Sequence, residues 1–132
     1  MKNILRTIAG IFVGLLVLFV LIIAVEAFSA VVHPFPPGFE GTQDEICAHV
    51  ERYPGWVLAA VVPMWGATAF AAVWVAGKLG QFYAATFVGF LLNLALISNL
   101  AMLPYPLWFK GACLLLLPLA TIGAVWLTPI QK

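Results

Sequence analysis

Glu26 is set apart from the other acidic residues of this chain. Glu40, Asp44, Glu45 and Glu51 cluster in one polar loop, whereas Glu26 lies inside an apolar run. A carboxylate at membrane depth is costly and ordinarily faces other helices, so it marks a candidate site for ion pairing, ligand binding or proton-coupled work. Counted from the ends of the apolar stretches, Ser98 and Asn99 reach a similar depth, and Lys110 and Cys113 come close. Glu26 can therefore meet an amide, a hydroxyl or an ammonium. Asn93 shares the stretch that carries Asn99. His33 follows Glu26 by seven residues and shares its face if the helix persists that far.

Each of these residues also has a plain structural reading. Glu26 can anchor a helix by snorkelling or pair with Lys110. Asn93 and Asn99 can serve as interhelical hydrogen-bond glue worth about 0.6–2 kcal/mol each. His33 precedes Pro34 and reads as a loop residue. A Glu26–His33 metal pair lacks a third ligand, so no metal site is expected. Cys47 and Cys113 fall on one side of the expected topology, where a disulfide is permitted if their α-carbons come within about 7 Å. The chain contains no G-x-S-x-G, P-loop, H-E-x-x-H or C-x-x-C. No catalytic residue and no cofactor are therefore expected.

The composition sets the solvent. Of 132 residues 64% are hydrophobic and 8% charged, with mean hydropathy +1.10. Soluble domains are about 45–50% apolar and about 25% charged. So short a chain is mostly surface and cannot hide that excess in a core, which makes the lipid bilayer its partner. A net charge of +1 without a basic patch gives no reason to expect nucleic acid as a partner.

The pattern predicts an all-α membrane protein, a four-transmembrane-helix bundle with helices over 4–31, 55–76, 82–103 and 107–127. The loop 32–54 carries a short amphipathic helix over 43–52, opened by the capping-box spacing Thr42-x-x-Glu45. The apolar run of the first helix exceeds the roughly 7–15 residues of a signal-peptide core, so it is read as a retained span. Gly10-x-x-x-Gly14 fits a helix-contact motif. The second helix is crowded with small residues. Ala60, Ala67 and Ala71 form one smooth face, and Ala69, Ala72 and Ala76 form another, which suits a central packing element. Gly77-Lys78-Leu79-Gly80 is expected as a tight turn before the third helix, and Pro63 and Pro118 interrupt the second and fourth.

Lys2, Arg6, Lys78 and Lys132 fall on one side, Arg52 and Lys110 on the other. The positive-inside rule then places both termini in the cytoplasm and the acidic loop outside. Trp56 and Trp108 lie at the outer boundary, and Trp74 and Trp126 at the inner one.

His33-Pro34-Phe35-Pro36-Pro37-Gly38 before a short helix, together with Pro104-Tyr105-Pro106-Leu107-Trp108-Phe109, resembles a group of small bacterial inner-membrane proteins with four predicted helices. The resemblance implies the inner (plasma) membrane as compartment and carries no activity. The size, with a glutamate in the first helix, is also similar to small multidrug-resistance transporters. Those have short loops and a more central glutamate, unlike this chain.

The functional expectation is a non-catalytic structural or accessory subunit, a homo-oligomer or part of a larger membrane complex joined through the small-residue faces of the second helix. The alternative is a small transporter or ligand-binding protein using Glu26 with Asn99 and Asn93.

Overall fold

In the computed structural model, which describes residues 1–130, the first apolar run forms one uninterrupted helix, α1 (Lys2–Val32). Its run of leucine, isoleucine and valine is broken by no proline until Pro34, which forces His33 out of the helical region, to φ −144°. Helix α2 (Gln43–Glu51) begins at a complete capping box. Thr42 Oγ1 accepts from the Glu45 amide at 3.3 Å, and Glu45 Oε2 accepts from the Thr42 amide at 3.2 Å. The same carboxylate accepts from the Glu40 amide at 2.9 Å, which ties the preceding loop to the helix start.

Helix α3 (Gly55–Met102) continues through Pro63 and has one non-helical residue, Gln81. Its arms, 55–80 and 82–102, fold back on each other there, as the shared cluster of Val73 and Ala76 with Ala84, Ala85 and Val88 requires. Helix α4 (Leu107–Trp126) starts behind Pro106 and runs through Pro118. No strand occurs among the described residues. Three helices, α1, α3 and α4, are long and apolar enough to cross a membrane. Lys132, counted above on the inner side, lies outside the described residues.

The reversal is not where the glycines were expected to put it. Residues 77–80 remain helical, and the chain turns at Gln81 with φ 66° and ψ −165°. The glycines are used for close approach instead. Gly80 sits against the Gly10 backbone and Ala84, and Gly77 sits against Thr128 and Ala85, where a Cβ would have no room. Since both glycines are committed to packing, the backbone conformation that glycine favours falls to a glutamine.

Helices α1 and α4 each pack along α3 and do not approach one another's backbone among the described residues. Gly10 and Gly14 of α1 rest on Ala72, Ala76 and Gly80 of α3, and a Cβ on Gly14 would lie 2.6 Å from the Ala76 Cβ. Two polar contacts pin the same end. Arg6 Nε donates to the Leu79 carbonyl at 2.8 Å, and the Thr7 hydroxyl donates to the Gly80 carbonyl at 3.3 Å. On the α4 side, Gly66 meets Leu116 and Gly89 meets Thr121. A second apolar cluster, nearer α2, joins Val57, Val61, Leu96, Phe109, Cys113 and Leu117.

Of the two small-residue faces on the first arm of α3, Ala69, Ala72 and Ala76 are buried by these neighbours. Ala67 is exposed, and Ala60 and Ala71 are half-buried. The molecule's periphery is oily throughout: Phe12, Phe19, Phe90, Ile97, Leu115 and Trp126 all point outward. Water opposes such a surface and hydrocarbon accepts it.

Two packing tests follow in detergent-solubilised protein. Gln81→Gly relieves a conformation that is nearly glycine-only and raises unfolding stability by about 1 kcal/mol. Gly14→Leu overpacks the α1–α3 contact and costs about 1–3 kcal/mol, whereas Gly111→Ala, which meets nothing within 4 Å, leaves stability unchanged or slightly raised. Thermal melts that rank these variants in any other order contradict the described packing.

Candidate polar cavity and its cap

Three helices line an open cavity of about 230 Å³ beside Glu26. Leu18 and Ile22 of α1, Ala95 of α3 and Leu117 of α4 supply apolar wall, and Glu26, Thr68, Asn99 and the Trp65 indole bring the polar groups. The i, i+4 spacing of Leu18, Ile22 and Glu26 puts all three on one stripe of α1. Glu26 stands at the mouth: its own surface is open, while Val25 and Ser29 beside it are buried. It has no ion pair and no hydrogen bond among the described residues. Thr68 is satisfied within its helix, its hydroxyl donating to the Met64 carbonyl at 2.8 Å. Asn99 is not satisfied. Its Oδ1 is buried with no partner in the protein, an arrangement that costs about 1–3 kcal/mol.

A much smaller cavity, about 20 Å³, lies on the α2 side of Glu26, and Ser29, Tyr53, Trp65 and Tyr105 help to line it. Burial raises the phenol of Tyr53 above the usual value, partly offset by a hydrogen bond with Ser29. Tyr105, packed on Phe109 with ring centroids 4.6 Å apart, is raised further by burial, then by Tyr53 and Glu26.

Above these tyrosines lies an aromatic cap. The His33 and His49 rings stack at 4.2 Å, and Phe35 stacks on the other side of His49 at 4.5 Å. Tyr53 tilts against His33 at 4.4 Å. His33 Nε2 lies 3.0 Å from the His49 carbonyl oxygen, a hydrogen bond in which the ring nitrogen donates. The cap thus fastens α2 to the end of α1. Burial lowers the His49 pKa, and the neighbouring His33 and Arg52 lower it further.

The structure sorts the residues singled out from sequence. Glu26 and Asn99 line one cavity; His33 belongs to the cap instead. Ser98 is exposed and donates to the Leu94 carbonyl at 3.0 Å. Asn93 lies in a separate groove, where its Nδ2 donates to the Gly89 carbonyl at 2.8 Å and to Thr121 Oγ1 at 3.0 Å. Two pairings drawn from sequence are not formed. Lys110 makes no ion pair with Glu26 among the described residues. Cys47 and Cys113 are both free: Cys113 is buried in the apolar cluster of Phe109 and Leu117, while Cys47 lies on α2, its Sγ 3.6 Å from Gln43 Nε2. Thr68, Trp65, Ser29, Tyr53, Tyr105 and His49 escaped the sequence reading. Tyr53 and Tyr105, each next to a proline at a helix boundary, carried the one usable signal.

The His49 shift fixes the pH response of the cap. Its pKa is lower in the folded chain than its usual 6.5, so protonation favours the undocked form. Cap stability is therefore complete above that value and is lost as pH falls through it. Going from about pH 7.5 to about pH 5 should speed chymotrypsin cleavage at Phe39 relative to cleavage of an unfolded peptide at the same pH, which corrects for the protease's own pH response. His49→Phe keeps the stack and should remove the pH dependence; an unchanged dependence in that variant contradicts the assignment. No protein-family model matches this chain, and neither a curated protein nor a solved structure matches it.

Proposed function

We propose that the chain is a four-span, non-catalytic integral membrane protein of the inner membrane that binds a small molecule beside Glu26. The two arms of α3 count as separate spans in this reading. At about 1.5 Å per residue each arm reaches the roughly 30 Å of a hydrocarbon core, as do α1 and α4. Both termini are cytoplasmic, the Gln81 turn lies inside, and α2 with its cap lies outside. The charge distribution supports this orientation, as does the outward exposure of Trp56, Trp74, Trp108 and Trp126, while Trp65 at mid-span turns inward. A reporter active only in the cytoplasm should work when fused to the C-terminus; a silent cytoplasmic fusion with an active external one refutes the topology.

One observation carries the binding reading: Asn99, whose buried Oδ1 has no partner, lines the same cavity as an unpaired Glu26. A bound molecule with hydrogen-bond donors would satisfy both. The volume exceeds the roughly 150 Å³ that accommodates benzene and falls below the roughly 300 Å³ at which drug-sized pockets begin. The site therefore suits a molecule with one small apolar body. Native mass spectrometry of protein drawn gently from its own membranes should show a small adduct that Glu26→Gln and Asn99→Leu both abolish. Wild-type protein without such an adduct, or variants that keep it, would overturn the assignment.

A second reading, an accessory or assembly subunit, is favoured by the outward face of Ala60, Ala67 and Ala71. The other smooth face is already used inside the molecule, so only this one remains for a second copy or a larger membrane complex. Crosslinking in native membranes distinguishes the two, since a strict monomer without partners contradicts the subunit reading.

A further inference from the structure

The small cavity on the α2 side of Glu26 has the size and lining of a water site. Its volume of about 20 Å³ exceeds the roughly 10–15 Å³ that one water needs. A buried water ordinarily makes about three hydrogen bonds to otherwise unsatisfied polar groups. Four polar groups meet here, the Glu26 carboxylate, the Ser29 hydroxyl and the phenols of Tyr53 and Tyr105; Ser29 and Tyr53 share one hydrogen bond and keep further donor and acceptor capacity for a water. Ser29 is one turn beyond Glu26 on the same side of α1 and is only 6% exposed. Leu58, Val61 and Phe109 complete the wall and keep the site from opening further.

The approach to Glu26 is asymmetric. Towards the Gln81 turn, α1 and α3 are in backbone contact at Gly10 and Gly14, packed so closely that not even a Cβ fits between them. Towards α2, Tyr53 lies directly beneath the His33 ring of the cap. The titratable and charged groups on this side are His33, His49, Tyr53, Tyr105 and, behind Tyr105, Cys113 of α4, with Arg52, Lys110 and the carboxylates Glu40, Asp44, Glu45 and Glu51 farther out. None of the described residues forms an ion pair with Glu26.

We propose that Glu26 exchanges its proton with the outer aqueous face through one water held by Ser29, Tyr53 and Tyr105, and not with the cytoplasm. In the uptake step the bound water passes a proton to a Glu26 oxygen as it receives one from the hydroxyls and water on the capped side. The carboxylate becomes a carboxyl, the outer solution loses one proton, and no electron moves. This inference rests on the four-span reading only for which face is outer, and that is checked separately by the terminal reporter. It does not depend on which molecule fills the larger cavity.

The test uses the full chain in uniformly oriented proteoliposomes, with pH stepped on one side at a time. The carbonyl stretch of protonated Glu26 is followed by infrared spectroscopy, and its loss in Glu26→Gln identifies the band. An outer step should change the band, and an inner step should not. Ser29→Ala and Tyr53→Phe should each slow the response by about tenfold, the factor that about 1.4 kcal/mol of lost hydrogen bonding gives. Final amplitude should stay the same. Thr68→Val, on the larger cavity, should leave the rate unchanged. The proposal is overturned if the band follows the inner step, if Ser29→Ala and Tyr53→Phe both respond at the wild-type rate, if Thr68→Val slows the response equally, or if Glu26 shows no titration between about pH 4 and about pH 9. Since no ligand is present, a failed adduct search leaves these outcomes readable, and a failed proton test leaves the adduct search intact.

Discussion

Backbone-to-backbone contact between α1 and the first arm of α3 governs the rest of the structure. In hydrocarbon there is little hydrophobic drive to bring two oily helices together, so dispersion over close, complementary surfaces must supply the attraction. Gly10 and Gly14 meeting Ala72, Ala76 and Gly80 bring the axes near enough for that. Arg6 and Thr7 add bonds to the carbonyls of Leu79 and Gly80 beside the chain reversal. The contact therefore fixes the angle and register of α1 along its whole length. Glu26, twelve residues beyond Gly14, inherits its position from this distant seam.

The same seam explains why a cavity opens where it does. Small residues close the turn end of the molecule, and bulkier ones, Leu18, Ile22, Trp65, Leu92 and Leu117, occupy the capped half. Large side chains hold the helices apart and interdigitate imperfectly, leaving space between them. Polar groups that would be intolerable against lipid are acceptable in that space, because they face one another and any bound molecule. An unpartnered Asn99 oxygen in this position departs from the rule that buried polar atoms are paired. Departures of that kind are where a site is to be sought.

The cap ties loop chemistry to membrane chemistry. His33, Phe35, His49 and Tyr53 form a continuous aromatic stack between the end of α1, helix α2 and the start of α3. Burial in this stack favours the neutral imidazole over the charged one, so protonation of His49 weakens the cap. Ser29 is held beneath it beside Tyr53, next to Glu26. Events at the surface and at the Glu26 carboxylate therefore share one set of side chains.

Much of the architecture follows from local rules that sequence alone expresses. Apolar length fixed where helices can lie, Pro34, Pro54 and Pro106 fixed where they begin or end, and the Thr42–Glu45 spacing fixed the cap of α2, because each depends on a few neighbouring residues. That Glu26 is exceptional was equally plain from its apolar surroundings. The position of the reversal was not. Gly77 and Gly80 read locally as turn glycines, and only their contacts with Thr128, Gly10 and Ala84 show that packing had a prior claim on them. The partners of Glu26 were likewise hidden. Matching depths along separate helices suggested Lys110, Ser98 and Asn99 alike. Depth says nothing about rotation, and the rotation of each helix is set by packing against the others. Tertiary structure therefore selected Asn99, turned Ser98 outward, left Lys110 unpaired, and brought in Tyr53 and Tyr105 from loops whose sequence neighbours gave no hint of where they would meet.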